Sequence, residues 1–288
     1  MSRLRKGFFS TPVFILVLLG LVSVAAQKAG FTVHDLAYYL DSNLINFVRP
    51  GLKIRILSAT IESSRITVRF RLTDPRDVPL DRDGAFTPGP VTTSFIAAYI
   101  PRGATQYTAY TTRTRISPLN NQAVLQATAD SGGTYAKVAD GEYTYTFRTT
   151  VPATFDPAAT HTIGVYATRN LAEFELGTQV ANGTYNFVPN GSAVRTVRDV
   201  VRTEACNKCH DPLAAHGGGA RRNVELCVLC HTPQTTDDLT LNPADFRVMI
   251  HKIHMGEDLP SVKAGKPYKL ENDDFSTVAF PNDVRNCE

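Results

Sequence analysis

Residues 66–72 read ITVRFRL: Ile66, Val68, Phe70 and Leu72 alternate with Thr67, Arg69 and Arg71. A period of two places the four apolar side chains on one face and the polar ones on the other, as in a half-buried β-strand. Tyr143, Tyr145 and Phe147 alternate with Thr144, Thr146 and Arg148 in the same way. Working outward, further strands are expected at 52–62, 92–100, 105–114, 162–168 and 184–188, preceded by a short helix within 34–47. Asp83-Gly84, Gly132-Gly133, Asp140-Gly141, Asn182-Gly183 and Asn190-Gly191 are expected turns. Many short strands without long intervening helices predict an antiparallel sandwich or barrel, spanning residues 27–194. The acidic stretches at 74–77 and 81–84 lack the spacing of a calcium loop and read as solvated turns.

The 288 residues are 43% hydrophobic and 20% charged, a globular composition that excludes collagen-like, mucin-like and wholly disordered classes. A net charge of +3 offers no electrostatic footprint for nucleic acid. At the N-terminus a basic run, Ser2 to Lys6, precedes the apolar stretch VFILVLLGLVSVAA at 13–26. That pattern predicts export, with residues 1–26 as a signal peptide or, if Phe8 and Phe9 extend the run, a retained anchor. No Cys follows the run, so lipid attachment at an N-terminal Cys is not expected.

The cysteines and histidines are unevenly placed. All five Cys and five of the seven His fall between Cys206 and the C-terminus, whereas His34 and His161 stand alone and read as surface or capped residues. The strand pattern fades near residue 194, so residues 195–288 are expected to form a second, mostly irregular and short-helical domain. Within it Cys206-Asn207-Lys208-Cys209-His210 recurs as Cys227-Val228-Leu229-Cys230-His231. CxxCH is the attachment signature of c-type haem: two thiols at this spacing form thioethers to one porphyrin, and the adjacent His reaches its iron. The four thiols also make C-x2-C-x17-C-x2-C, which suits a zinc ribbon. Three features favour haem: a His after each pair, the export signal, and a surplus of nearby His. A thioredoxin-like redox pair lacks its βαβ context.

Cys287 stands where a third CxxCH would begin, so the sequence is expected to stop within that motif. Two complete motifs supply His210 and His231 as proximal ligands, and His216, His251 and His254 remain as candidate distal ligands. The last two lie in a stretch expected to be helical from an Asn242 cap and Pro243 to Gly256. There they are three residues apart, about 60° around the axis. Phe246, Met249, Ile250 and Ile253 share that broad side and suit either core packing or porphyrin edges. Three glycines follow His216 and permit close backbone approach to a flat cofactor. Arg221 and Arg222 suit propionate pairing or, preferably, a solvated basic turn.

The segments CNKCHDPLAAHGG (206–218), CVLCH (227–231), FRVMIHKIHMGEDL (246–259) and FPNDVRNCE (280–288) together resemble the OmcA/MtrC family of decahaem c-type cytochromes. The resemblance covers the last 85 or so residues in motif and the strand-rich part in architecture, since such proteins place a β domain before a pentahaem domain. It implies haem c and electron transfer in extracellular respiration. It also implies redox partner proteins, with metal oxides or flavins as acceptors, and a location in the periplasm, the outer membrane or at the cell surface. The family's surface-lipoprotein Cys is missing here. Two axial His per iron leave no open position, so an electron carrier is expected rather than a catalyst of bond chemistry. The rival classes are a multihaem reductase with an open iron site and a zinc-stabilised β-rich binding module.

Overall fold

The computed structural model describes residues 30–286; the expected export segment and Cys287 lie outside the described residues. A short helix α1 (Ser42–Val48) opens the fold, capped by Asp41, whose carboxylate accepts from the Asn43 and Leu44 amides. The expected helix within 34–47 is thus split, with a single 3-10 turn at Leu36–Tyr38 before the cap.

Two four-stranded antiparallel sheets follow. One contains β1 (Lys53–Glu62), β2 (Arg65–Thr73), β7 (Thr134–Ala139) and β8 (Glu142–Thr150), in the order β1-β2-β8-β7. The other contains β3 (Val91–Tyr99), β4 (Thr108–Ala109), β9 (His161–Asn170) and β10 (Thr178–Phe187), in the order β10-β9-β3-β4. Ile66, Val68, Phe70 and Leu72 are all buried, and Phe70 pairs in register with Tyr143 as Val68 does with Tyr145. Across the gap Phe95 packs on Phe70 at 5.1 Å between ring centroids and stacks on Tyr145 at 4.8 Å. The two apolar faces meet in one core, so the architecture is a sandwich.

The expected strand at 105–114 is broken. Both Tyr110 and Thr111 donate their amides to the Ala97 carbonyl, and the chain turns there from β4 into a separate ribbon. That ribbon pairs β5 (Thr112–Ile116) with β6 (Ala123–Ala127); β6 and β7 carry no clear alternation and were not expected. Asp140-Gly141 is a hairpin turn, but Asn182-Gly183 is not. Strand β10 starts at Thr178 and runs straight through both residues, pairing Asn182 with Tyr166 and Gly183 with Val165.

The acidic stretches also differ from plain solvated turns. The Asp74 side chain is buried, accepts from the Arg76 and Val78 amides and pairs with Arg49. Asp81 accepts from the Ala85 and Phe86 amides. His161 is not at the surface: it is 1% exposed, hydrogen-bonded to Tyr110 at 2.9 Å and in ring contact with Tyr99 and Tyr110. His34 is exposed.

After Phe187 the chain is irregular until α2 (Thr203–Cys206). Short elements then follow: α3 (Val224–Cys230), α4 (Phe246–Met255), α5 (Pro260–Lys263) and the two-residue strands β11 (Lys269–Leu270) and β12 (Asp273–Asp274). This second part is seated on the outer face of the β3–β9 sheet. Ile96 and Ala98 from β3 join Val224, Leu226, Val228, Leu229, Phe246 and Met249 in a second buried cluster. Gly164 makes the seat possible, because a Cβ there would lie 2.4 Å from a Leu229 methyl and 2.8 Å from one of Leu226. With both faces covered, Phe95, Ile96, Ala97 and Ala98 are buried in succession and period two disappears.

Candidate haem-binding site

Cys227 and Cys230 sit on α3, whose apolar side is held against the sheet, and His231 is its C-terminal cap. None of Cys206, Cys209, Cys227 and Cys230 forms a disulfide. Burial pushes the Cys227 thiol up to about 11, with nearby Cys206 adding to the shift, and burial pushes Cys230 up to about 12. Both are therefore protonated at neutral pH. Among the described residues no three His, Cys, Asp or Glu side chains converge on a position that could hold a metal ion, whereas a zinc ribbon requires four ligands together.

The histidines are arranged in pairs. His231 and His216 stack at 5.6 Å between ring centroids, with their Nε2 atoms 3.4 Å apart. The Nδ1 of His231 lies 3.0 Å from the Ala244 carbonyl. A carbonyl only accepts, so Nδ1 carries the proton and the Nε2 lone pair of a neutral ring faces His216. His216 is exposed, and partial desolvation of its ring, with Arg221 and His231 adding to it, moves its pKa below the ordinary value. Burial also lowers that of His231, so both rings are neutral at physiological pH, the form in which imidazole binds a metal.

His216 owes its placement to an unusual loop. Its φ is +60°, and Gly217, Gly218 and Gly219 also have positive φ. For a residue with a side chain this is a sparsely populated conformation, found where the surroundings enforce it. The loop closes through a bridge between Ala215 and Arg221.

The second pair is His210 and His254, whose rings lie edge to face with centroids 6.2 Å apart. His210 lies four residues beyond Cys206, the last residue of α2, and its amide donates to the Cys206 carbonyl. His254 lies on α4, with Nδ1 2.9 Å from the Ile250 carbonyl and Phe280 against its ring. His251 is exposed, with Nδ1 2.6 Å from the Arg247 carbonyl; among the described residues it pairs with neither motif. For His231, His251 and His254 alike, a carbonyl on Nδ1 leaves Nε2 as the nitrogen available to a metal, and such a carbonyl is the usual outer support of a metal-bound imidazole. The donor set therefore fits haem: paired thiols, an adjacent imidazole in each motif, and a second imidazole opposite.

Helix α4 begins later than expected. Its cap is Asp245, which accepts from the Val248 amide. Asn242 and Pro243 are instead drawn into extended pairing with 235–237, through Asp237 N–H to the Asn242 carbonyl and Ala244 N–H to the Thr235 carbonyl. Phe246 and Met249 are buried and Ile250 and Ile253 half-buried in the cluster under α3. Arg221 and Arg222 do not form a solvated turn. The Arg221 guanidinium covers the Tyr166 ring at 4.2 Å, and Arg222 Nε donates to the Gly219 carbonyl. Sequence reading missed Gly164, Tyr166, Asn182 and the Ala244 carbonyl, none of which has a motif of its own.

A family model for outer membrane cytochromes, MtrC/MtrF-like, domains II/IV, matches residues 198–288. The multiheme cytochrome MtrC of Shewanella baltica (strain OS185) is 28% identical over 244 residues, 78% of this chain and 34% of that protein. In fold, the chain is similar to the outer membrane decaheme cytochrome OmcA (TM-score 0.64, 24% identity, 81% of this chain and 38% of that one). It is also similar to MtrC from Shewanella baltica OS185 (TM-score 0.52, 24% identity, 73% and 33%). The chain spans about a third of the length of the curated relative it matches. Motif, fold and relatives agree: residues 198–288 match the MtrC/MtrF-like family model, and the chain as a whole is similar to the OmcA/MtrC cytochromes and shares their fold.

Proposed function

We propose that this chain carries haem c at Cys206/Cys209 and Cys227/Cys230 and serves electron transfer. Residues 27–194 act as its β domain and 195–288 as its haem domain. His210 and His231 are the proximal ligands, His254 is the distal partner of His210, and His216 that of His231. His251 is the remaining candidate distal ligand. The observation that carries the reading is the facing of His231 and His216 at 3.4 Å between Nε2 atoms. A haem attached at Cys227 and Cys230 would be held between these two nitrogens after a small separation of the rings. When bound, haem c supplies a one-electron ferric/ferrous couple whose potential depends on axial ligands, burial and hydrogen bonding. The protein's own part is to orient the paired imidazoles and to leave no ligand position for substrate. Export, redox partner proteins, and metal oxides or flavins as terminal acceptors complete the proposal.

The test is a pyridine haemochrome spectrum of the exported protein together with carbon monoxide binding to its ferrous form. Wild type is expected to show c-type haem that does not bind carbon monoxide. His216→Ala is expected to retain its haems and bind carbon monoxide at one of the two. Carbon monoxide binding by wild type, or none by His216→Ala, would overturn the ligand assignment.

A further inference from the structure

The loop that carries His216 is fastened to the β-sandwich chiefly through one side chain. Asn182 lies in the middle of β10. Its Oδ1 accepts the Arg222 N–H at 2.6 Å, and its Nδ2 donates to the Ala220 carbonyl at 2.8 Å and to the Ala181 carbonyl at 2.9 Å. An amide N–H needs an acceptor, so the Arg222 bond fixes which way the Asn182 amide faces. One flat group thereby satisfies a main-chain donor and a main-chain acceptor on the same stretch of loop. Beside it, Tyr166 of β9, the register partner of Asn182, supports the Arg221 guanidinium. The Ala215–Arg221 bridge closes the loop immediately before His216, and the four left-handed residues 216–219 leave its ring a defined direction. The facing ligand, His231, ends α3, and α3 rests on the same sheet over Gly164. His216 and His231 are therefore both mounted on the same sheet.

We infer that Asn182, a residue of the β domain, is a positioning residue for the distal ligand His216, holding its loop at the distance that keeps the second haem six-coordinate. This rests on the bis-histidine reading above and adds a role for the sandwich: its outer face sets the coordination of a haem attached to the other domain. Arg221 on Tyr166 is the second fastening.

The experiment compares wild type, Asn182→Ala, Tyr166→Leu and a control on the same strand, Gln179→Ala, as purified holoproteins. Among the described residues the Gln179 side chain bonds the nearby Leu176 carbonyl, away from the His216 loop. The readouts are the number of covalent haems by mass, the low-spin spectrum, and carbon monoxide binding by the ferrous form. Asn182→Ala is expected to keep both haems and to gain carbon monoxide binding at one. Tyr166→Leu should do so to a smaller extent, and Gln179→Ala should match wild type. Unchanged coordination in both Asn182→Ala and Tyr166→Leu would overturn the inference, as would equal opening in Gln179→Ala, which would reduce the effect to general loosening of β10. Wild type with no haem, or with carbon monoxide binding of its own, would fail the underlying reading instead and is seen before any variant is compared.

Discussion

Asp130 shows how single polar residues fix the sandwich on which the site is built. Its carboxylate accepts from the Tyr145 hydroxyl at 2.7 Å, the Thr149 hydroxyl at 2.6 Å and the Arg148 and Thr149 amides at 3.0 Å. Burial alone would push its pKa up, but the hydrogen bonds from Thr149, Tyr145 and Arg148 outweigh it and hold the group below the ordinary 3.8. A carboxylate whose folded pKa is depressed stabilises the fold above its unfolded value and loses that contribution as pH falls through the folded one. Asp130→Asn is accordingly expected to lower the melting temperature at about pH 7 and to melt closer to wild type at about pH 3. Thermal unfolding at both pH values checks this; an equal difference at both would remove the charge from the account. Arg169 acts at the same scale: fully buried, it donates to the carbonyls of Val48, Arg49, Gly51 and Pro88 and so ties the N-terminal helix to β9.

Among elements, the contact of α3 with the β9 sheet matters most, because it carries Cys227, Cys230 and His231. Leu229 and Leu226 occupy the space that Gly164 leaves. Gly164→Val would overpack this seat, at a cost of about 1–3 kcal/mol. The expected outcome is a lower melting temperature with the β core otherwise intact; an unchanged melting temperature would mean that α3 is not seated there. The alternation of Ile66 to Leu72 and of Tyr143 to Phe147 was legible because one face of each strand meets the core and the other meets water. At β3 and β9 the pattern fails for the opposite reason, since the haem-motif helix covers the outer face. Asn182-Gly183 misled for a related cause: the dipeptide has turn chemistry, but Asn182 uses it to bind the His216 loop and Gly183 to stay in the strand. Likewise the N-cap of α4 moved from Asn242 to Asp245 because 242–244 pair with a neighbouring segment that no local signal announces.

For the whole molecule, the two CxxCH motifs and the five C-terminal histidines were readable from spacing alone, whereas their pairing was not. His216 meets His231, and His210 meets His254, through contacts made only after the second part folds onto the sandwich. The sandwich thus holds the His216 loop through Asn182 and seats α3 over Gly164. The central claim is that Cys206/Cys209 and Cys227/Cys230 each hold a haem through thioether bonds. The most direct measurement is the intact mass of the exported protein under denaturing, reducing conditions. The account predicts an increment of two haems that persists after acid–acetone extraction; an increment of none or of only one would contradict it.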